Sequence, residues 1–250
     1  MRILQVNKFN YLRGGAEKYF LELCDMLRKE GHEIAKFSMA HPKNLADKYE
    51  KYFVSDVDFN KFKFGDIFSA RGGSAFGGKI IARVLWSREA ARKFEKLILD
   101  FKPDIIHLHN IYHQISPSII AMAKKYNLPV IMHLHDYKLI CPNYKLFTGG
   151  GVCYRCKGGK YYNCAFNKCL KNSFWKSLLA TIEMYLHHRL LKIYDKVDLF
   201  IAPSEFMKDI CVSFGVPAEK IRVVYNFVAP KNPSYPLFPP EADTPLAEKV

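Results

Sequence analysis

Short apolar segments alternate along this chain with longer segments of helical period, and this alternation constrains the fold more than any other feature. Six segments have the length and composition of buried strands: 2–6, 33–39, 104–108, 130–134, 197–202 and 221–225. Apolar side chains recur at helical spacing over 16–30, 79–100, 117–127, 174–194 and a segment that Ser204 caps and that runs to residue 214. Strands that alternate with helices predict an α/β fold with a doubly wound parallel sheet.

Two of the predicted strands end in polar side chains. Strand 130–134 is followed by His135 and Asp136, and strand 104–108 is followed by His109 and Asn110. Ligands of open parallel sheets bind at the carboxyl ends of the strands, so we expect a binding site there. His133 lies two residues before His135 and faces the same side, but deeper, and we expect it to be structural.

Gly14 and Gly15 stand between the first strand and the first helix. Glycines at this position let a ligand approach the backbone, and the N–H groups at a helix start attract anions. The pair therefore fits a phosphate-binding turn, although ordinary loops use the same dipeptide.

Five of the seven cysteines lie between Cys141 and Cys169. The spacing Cys153-x2-Cys156, followed by Cys164 and Cys169, suits a zinc ion held by four thiolates, which can fold a loop that lacks its own core. The second pair is more widely spaced than is usual. An iron–sulfur cluster and reduced, unliganded thiols are the alternatives, and a catalytic thiol is disfavoured because no pattern pairs one with a general base.

The net charge of +14 is concentrated in two regions. Residues 138–182 hold eight Lys or Arg and no acid, and residues 61–102 hold ten basic and four acidic residues. Such blocks favour an anionic partner: lipid headgroups, nucleic acid or a phosphorylated substrate. Phe62, Phe64, Phe68 and Phe76 within the second block suit an anionic membrane surface. Nucleic acid ranks well below the membrane because the strand pattern matches no such module, and an ordinary solvated surface rivals both.

The chain begins with too few apolar residues for a signal peptide, and no apolar run approaches the roughly 20 residues of a membrane span. We expect a cytoplasmic protein, either free or peripheral on the cytoplasmic face of the membrane. Six of the thirteen prolines fall between Pro230 and Pro245. We therefore expect one domain over residues 1–228, with an insertion at 141–169, and a proline-rich linker or tail at 229–250.

Four motifs resemble, in order and spacing, the N-terminal domain of glycosyltransferase family 4. They are RGGAEKYFLELCDMLRKEGHEI, KPDIIHLHN, PVIMHLHDY and APSEFMKDICVSFGVPAEKIRVVYNF. The resemblance covers residues 1 to about 228 and implies a Rossmann-like domain of the GT-B architecture, in which two such domains face each other across a cleft. It also implies transfer of a sugar, with retention, from a nucleotide-sugar donor to a glycan or lipid-linked acceptor.

The same resemblance assigns roles to residues of this chain. It implies that Gly14 and Gly15 contact the diphosphate or sugar of the donor, and that His135 contacts the transferred sugar as the catalytic candidate. Asp136 would orient His135 or its loop, and Asn110 and His109 would line the acceptor side. The cysteine segment resembles an insertion found in some members.

This sequence also departs from the family pattern. Members carry a second domain with the nucleotide site and a Glu-x7-Glu motif, and the spacing of Glu22 and Glu30 within the first helix is a chance match. We expect the second domain to be absent here, and hence an acceptor-binding half that serves cell-envelope polysaccharide synthesis and needs a C-terminal GT-B domain in cis or in trans. The alternative is a non-catalytic binding module, either a partner subunit or a basic, zinc-containing nucleic-acid binder.

Overall fold

The computed structural model describes residues 1–57 and 73–227, with only the backbone for residues 73–76. The described strands are β1 (Arg2–Val6), β2 (Glu33–Phe37), β3 (Ile105–Leu108), β4 (Val130–His133), β5 (Phe147–Thr148), β6 (Gly151–Val152), β7 (Leu199–Ala202) and β8 (Ile221–Val223). Six of them form one parallel sheet in the order β2-β1-β3-β4-β7-β8, and β5 and β6 pair as a separate antiparallel hairpin. The predicted α/β class and doubly wound parallel sheet are confirmed.

The described helices connect these strands. They are α1 (Gly15–Lys29), α2 (Gly73–Leu85), α3 (Arg88–Phe101), α4 (Ser118–Lys125), α5 (Tyr162–Phe166), α6 (Phe174–Met184) and α7 (Glu205–Ser213). Ser87, Ser173 and Ser204 begin α3, α6 and α7, and each hydroxyl accepts a hydrogen bond from a backbone N–H of the first turn. The cap predicted at Ser204 is therefore confirmed.

The core lies between the sheet and the helices on its two faces. The central strands carry apolar side chains on both faces, as a sheet covered on both sides requires. Leu4, Val6, Ile106 and Met132 are fully buried, and Phe94 of α3 packs edge-on against the ring of Phe37 at 5.0 Å. Burial of both faces explains why these strands are continuous apolar runs rather than alternating ones.

Two predicted helices differ from the observed ones. The single helix predicted over 79–100 is wrong: it is divided into α2 and α3 at Trp86 and Ser87. The Ser87 hydroxyl accepts the N–H of Ala90 at 3.1 Å, and the Ser87 N–H donates to Ser116 at 3.0 Å, so Ser87 starts a new helix. The helix predicted over 174–194 is α-helical only to Met184 and continues as a π-helical segment, Tyr185–Leu190.

Some predictions fall on residues outside the described part of the chain. They are the proline-rich tail at 229–250 and most of the aromatic and basic block around Phe62, Phe64 and Phe68. The side chain of Phe76 is likewise not described. Among the described helices, none is both long enough and apolar enough to cross a bilayer.

The order of the strands locates a ligand crevice. The chain passes from β1 to β2 on one side of β1 and returns to β3 on the other side, so the topological switch point lies between β1 and β3. Gln5 pairs with His107, and Leu108 of β3 pairs with Met132 of β4. This register puts His109 level with His133, and it gathers side chains from three strands at the carboxyl edge.

Candidate functional site

The loops that follow β1, β3 and β4 meet at this carboxyl edge. The N–H of Lys8 donates to the carbonyl of Asn110 at 2.8 Å, and the N–H of Asn110 donates to the Asn7 side chain at 3.2 Å. The charge of Lys8 also acts on His135 and Asp136. The structure therefore brings together the loop that leads to Gly14, the strand end at Asn110 and the strand end at His135.

A chain of hydrogen bonds holds His135 from below. Nε2 of His109 lies 2.9 Å from Oε1 of Gln5, and Nδ1 of His109 lies 2.9 Å from Nε2 of His135. An amide oxygen only accepts, so His109 donates from Nε2 and, as a neutral ring, accepts at Nδ1. His135 must then donate from Nε2, and its Nδ1 is left as a hydrogen-bond acceptor.

Burial keeps these imidazoles uncharged. Burial, aided by His107, His135 and His133, holds the pKa of His109 well below 6.5. The pKa of His135 is lowered to about 3, first by burial and then by the neighbouring His133 and His107 and by Lys8. At neutral pH His135 is thus a neutral group with a fixed tautomer, suited to accept a hydrogen bond from a hydroxyl.

Helix α1 packs against the histidine rings at this edge of the sheet. The ring of Tyr19 lies 4.6 Å from that of His133, 5.6 Å from that of His135 and 4.9 Å from that of Phe227. His133 is 1% exposed, which agrees with the structural role predicted for it. Tyr19 therefore fixes the rings from the helix side and ties their positions to the start of α1.

Asp136 acts on its own loop rather than on the histidine. Its Oδ1 accepts the N–H of Lys138 at 2.8 Å, which is an Asx turn at the end of β4. Burial raises the pKa of Asp136, and the Lys138 N–H and the charge of Lys8 oppose that shift. Of the two predicted roles, orienting the loop is the one that these contacts support.

The predicted glycine turn is open to solvent. Gly14 and Gly15 are exposed, and a Cβ added to Gly15 would meet no atom within 4 Å. The first helical hydrogen bond runs from Lys18 to Gly14, so the N–H groups of residues 15–17 have no partner within the helix. Glu17 in this first turn is buried and interacts with Lys8. Asn110, in contrast, is buried, and its backbone joins the loops rather than presenting a side chain to solvent.

Three histidines at this edge of the sheet also lie close enough to share an ion. Within the described ranges, His107, His109 and His133 form the group whose ligand atoms all lie within 4.8 Å of one another. Both nitrogens of His109 already bond to Gln5 and His135, so we interpret His109 as part of that hydrogen-bond chain rather than as an ion ligand.

The cysteines of the insertion form a second cluster. Cys153, Cys156, Cys164 and Cys169 are free thiols, and Cys156 and Cys169 interact with the other members of the set. The Cys164 thiol donates to the Cys169 sulfur, and this bond, together with the Thr148 side chain and the charge of Arg155, lowers the pKa of Cys169 to about 6.

Two further cysteines of the segment, Cys156 and Cys141, are buried. Burial raises the pKa of Cys156 to about 12, and the Cys141 thiol donates to Asn143 Oδ1 at 2.9 Å rather than to another cysteine. Among the described residues, the ligand atoms of His107, His109 and His133 all lie within 4.8 Å of one another, whereas no three of the cysteine sulfurs do. Binding of one zinc ion would therefore require the cysteine side chains to move closer together.

A buried ion pair anchors the cysteine segment to the domain. Nζ of Lys138 lies 2.7 Å from Oε2 of Glu183 on α6, and His113 Nε2 lies 3.4 Å from the same oxygen. Burial on its own would raise the pKa of Glu183, but Lys138, His113 and His187 together lower it. The carboxylate therefore stays charged and links the loop after β4 to α6.

Sequence reasoning missed Gln5 and Tyr19, and it named His109 only as a strand-end residue without its bond to His135. Gln5 and His109 set the tautomer of His135, and Tyr19 packs on the rings. A glutamine inside the apolar strand 2–6 is the available signal, because a buried amide needs polar partners.

Three known proteins are similar to this chain over part of their own length. A Klebsiella pneumoniae protein named "Uncharacterized 42.6 kDa protein in cps region" is 30% identical over 159 residues, which are 60% of this chain and 40% of that protein. The structure is also similar to a UDP-GlcNAc 2-epimerase from Methanocaldococcus jannaschii, at 13% identity and a TM-score of 0.47 over 90% of this chain and 46% of that one. A third similar protein is MurG from Acinetobacter baumannii, at 10% identity and a TM-score of 0.41 over 92% and 46%.

The chain thus spans less than half of the length of each of these proteins. The sequence profile of Glycosyltransferase Family 4 matches residues 13–232, which include the glycine turn and the strand ends at Asn110 and His135. Because the match covers most of the 250 residues, the chain belongs to glycosyltransferase family 4.

Proposed function

We propose that this chain is the acceptor-binding half of a retaining glycosyltransferase. The reaction moves a sugar from a nucleotide-sugar donor to a glycan or lipid-linked acceptor in cell-envelope polysaccharide synthesis. Family membership supports the reaction class, and the name of the Klebsiella pneumoniae relative, which refers to a cps region, is the further support.

One observation carries the proposal: a neutral, oriented histidine stands beside an open helix start. His135 is partly exposed and presents Nδ1 as an acceptor, which suits a hydroxyl of the transferred sugar. The free N–H groups at the start of α1 suit the donor's diphosphate, because they stabilise the negative charge that develops as it leaves. Gly15 leaves space for that approach, since a Cβ there would meet no atom within 4 Å.

We propose that the described residues form one wall of a cleft. Transfer requires donor and acceptor to be positioned together in a closed, water-poor site. We therefore propose that catalysis needs a C-terminal GT-B domain in cis or in trans.

A transfer assay tests this proposal. The 250-residue chain is assayed with a panel of nucleotide sugars and lipid-linked acceptors, alone and with the second domain joined or added. We expect product only when the second domain is present. Robust turnover by the homogeneous 250-residue chain alone contradicts the proposal that catalysis needs a C-terminal domain. A complete protein that transfers no sugar from any donor, yet binds glycan, favours the non-catalytic binding module.

We also propose that Cys153, Cys156, Cys164 and Cys169 bind one zinc ion. The support is that the Cys164 thiol donates to the Cys169 sulfur, which brings two of the four sulfurs together, and that the pKa of Cys169 is lowered to about 6, as suits a metal ligand. Burial raises the pKa of Cys156 to about 12, and a bound metal would offset that shift. Nine residues between Tyr144 and Asn172, four of them glycines, have a positive φ, and the segment has little core of its own, so a cross-link would stabilise it. Zinc there is a structural ion and takes no part in sugar transfer.

Elemental analysis of protein purified without chelator tests the zinc site. We expect about one zinc per chain, lost in Cys164→Ser and kept in Cys24→Ser, whose buried cysteine lies on α1. Iron with acid-labile sulfide, or metal-free protein whose four thiols alkylate readily, contradicts it.

A further inference from the structure

Helix α6 and its π-helical extension expose an apolar stripe. Trp175, Ile182 and Leu190 are 52%, 47% and 76% exposed, and the half-buried Leu179 and Leu186 lie between them. Their spacing of three or four residues places all five on one side of the helix. The stripe spans 16 residues, 175–190, which is about 22 Å at an α-helical rise.

The opposite side of the same helix is already used. Ser177, Ala180, Thr181, Met184 and His187 are buried and face the domain. Thr181 donates to the Tyr161 carbonyl at 3.1 Å, and His187 bonds to the Leu85 carbonyl at 2.6 Å. The helix is therefore docked on one side and still apolar on the other, which a purely solvated surface helix would not be.

The neighbouring segments extend this apolar surface. The ring of Phe174 contacts that of Trp175 edge-on at 5.3 Å, and both are exposed. Phe166, at the end of α5, is 74% exposed, and α5 packs against α6. Large contiguous apolar surface of this kind marks an interaction site.

The exposed charge of the chain segment that carries the stripe is of one sign. Between residues 145 and 192 the chain has nine basic residues: Lys145, Arg155, Lys157, Lys160, Lys168, Lys171, Lys176, Arg189 and Lys192. The same span has one acid, Glu183, which is fully buried and paired with Lys138. The exposed charge in this span is therefore cationic, and a second copy of the same surface would repel it.

We infer that the surface formed by α5, α6 and the π-helical segment docks on an anionic lipid bilayer. The helix lies parallel to the membrane, with Trp175, Ile182 and Leu190 at the level of the headgroups and upper acyl chains. The lysines contact the anionic headgroups around them. This surface is separate from the aromatic block predicted near Phe62, and its binding does not depend on the proposed sugar transfer.

Tryptophan fluorescence tests the inference directly, because the chain has two tryptophans, Trp86 and Trp175. In Trp86→Phe, Trp175 is the sole reporter, and its emission should shift to shorter wavelength with phosphatidylglycerol vesicles but not with phosphatidylcholine vesicles. In the matched variant Trp175→Phe, Trp86 packs on the core and should not shift. A shift of Trp86 alone, or of neither residue, overturns the inference.

Vesicle sedimentation then separates charge from apolar contact. Lys171→Glu/Lys192→Glu and Leu190→Glu should each reduce binding. Two lysines at about 1 kcal/mol each predict at least a roughly 30-fold loss. Phe206→Glu on α7, whose phenylalanine is 54% exposed, is the matched control and should bind normally. Normal binding by all variants overturns the inference, as does tighter, salt-sensitive binding to an acidic protein than to the vesicles.

Discussion

The buried pair Lys138–Glu183 gives a prediction whose magnitude follows from the structure. The two side chains are 3% and 0% exposed, and Nζ lies 2.7 Å from Oε2. Glu183→Gln keeps the shape of the side chain but leaves the Lys138 ammonium buried without its counter-charge. Breaking a buried pair in this way costs about 3–5 kcal/mol, and we expect Glu183→Gln to lower the free energy of unfolding by that amount.

The assay is denaturant unfolding at pH 7, followed by circular dichroism. The double variant Glu183→Gln/Lys138→Met should recover most of the loss, because no unpaired charge then remains buried. Glu205→Gln on α7 removes a carboxylate that is 61% exposed and lies 3.8 Å from Lys208, and it should cost less than about 1 kcal/mol.

The pair also has a definite pH dependence. The pKa of Glu183 is lower in the folded chain than its ordinary 4.5, so its contribution is complete above that value and is lost as the pH falls below it. A loss under about 1 kcal/mol for Glu183→Gln, or a double variant no more stable than the single one, would refute the reasoning.

Three further predictions concern the site. Burial holds four histidines neutral: His107, His109, His133 and His135. The free energy of unfolding should therefore fall as the pH drops below 6.5, by up to about 1.4 kcal/mol per pH unit for each histidine. Equal denaturation midpoints at pH 7 and pH 5 contradict this. Long-range nitrogen NMR at pH 7 should find His109 and His135 protonated at Nε2. A His135 protonated at Nδ1 contradicts the hydrogen-bond chain from Gln5 through His109 to His135. Gly15→Ala should change the free energy of unfolding by less than about 1 kcal/mol, because the added Cβ meets no atom within 4 Å. The same variant should bind the donor more weakly in the two-domain protein, and an unchanged donor affinity contradicts a contact with the diphosphate.

Much of the fold follows from local pattern. The six strands of the sheet are short, largely apolar runs between turn residues, so their positions along the chain and the α/β fold class were predictable. The break at Ser87 was not, because the apolar spacing continues through it and the cap depends on contacts with Ser116, which is distant in sequence. The π-helical end of α6 has the same origin, since His187 bonds to the Leu85 carbonyl 102 residues away.

The candidate site was predictable only at its outer edge. His135, Gly14 and Gly15 follow strand ends, where ligands gather, and the structure does place them at one edge of the sheet. The tautomer of His135 depends on Gln5 and His109, which come from two other strands, so the register of the sheet was needed to find it. The exposed stripe on α6 was likewise hidden, because an apolar helix is the same in sequence whether both of its sides or only one is covered.

The most direct test of the account is the rate of sugar transfer by the two-domain protein with and without His135. Because Nδ1 of His135 is proposed to bind the sugar as it transfers, His135→Ala should lower kcat by about 100-fold with little change in the donor KM. His32→Ala, at the opposite edge of the sheet beside Met1, is the matched control and should keep the parent kcat. A His135→Ala protein that transfers sugar at the parent rate would contradict the central claim.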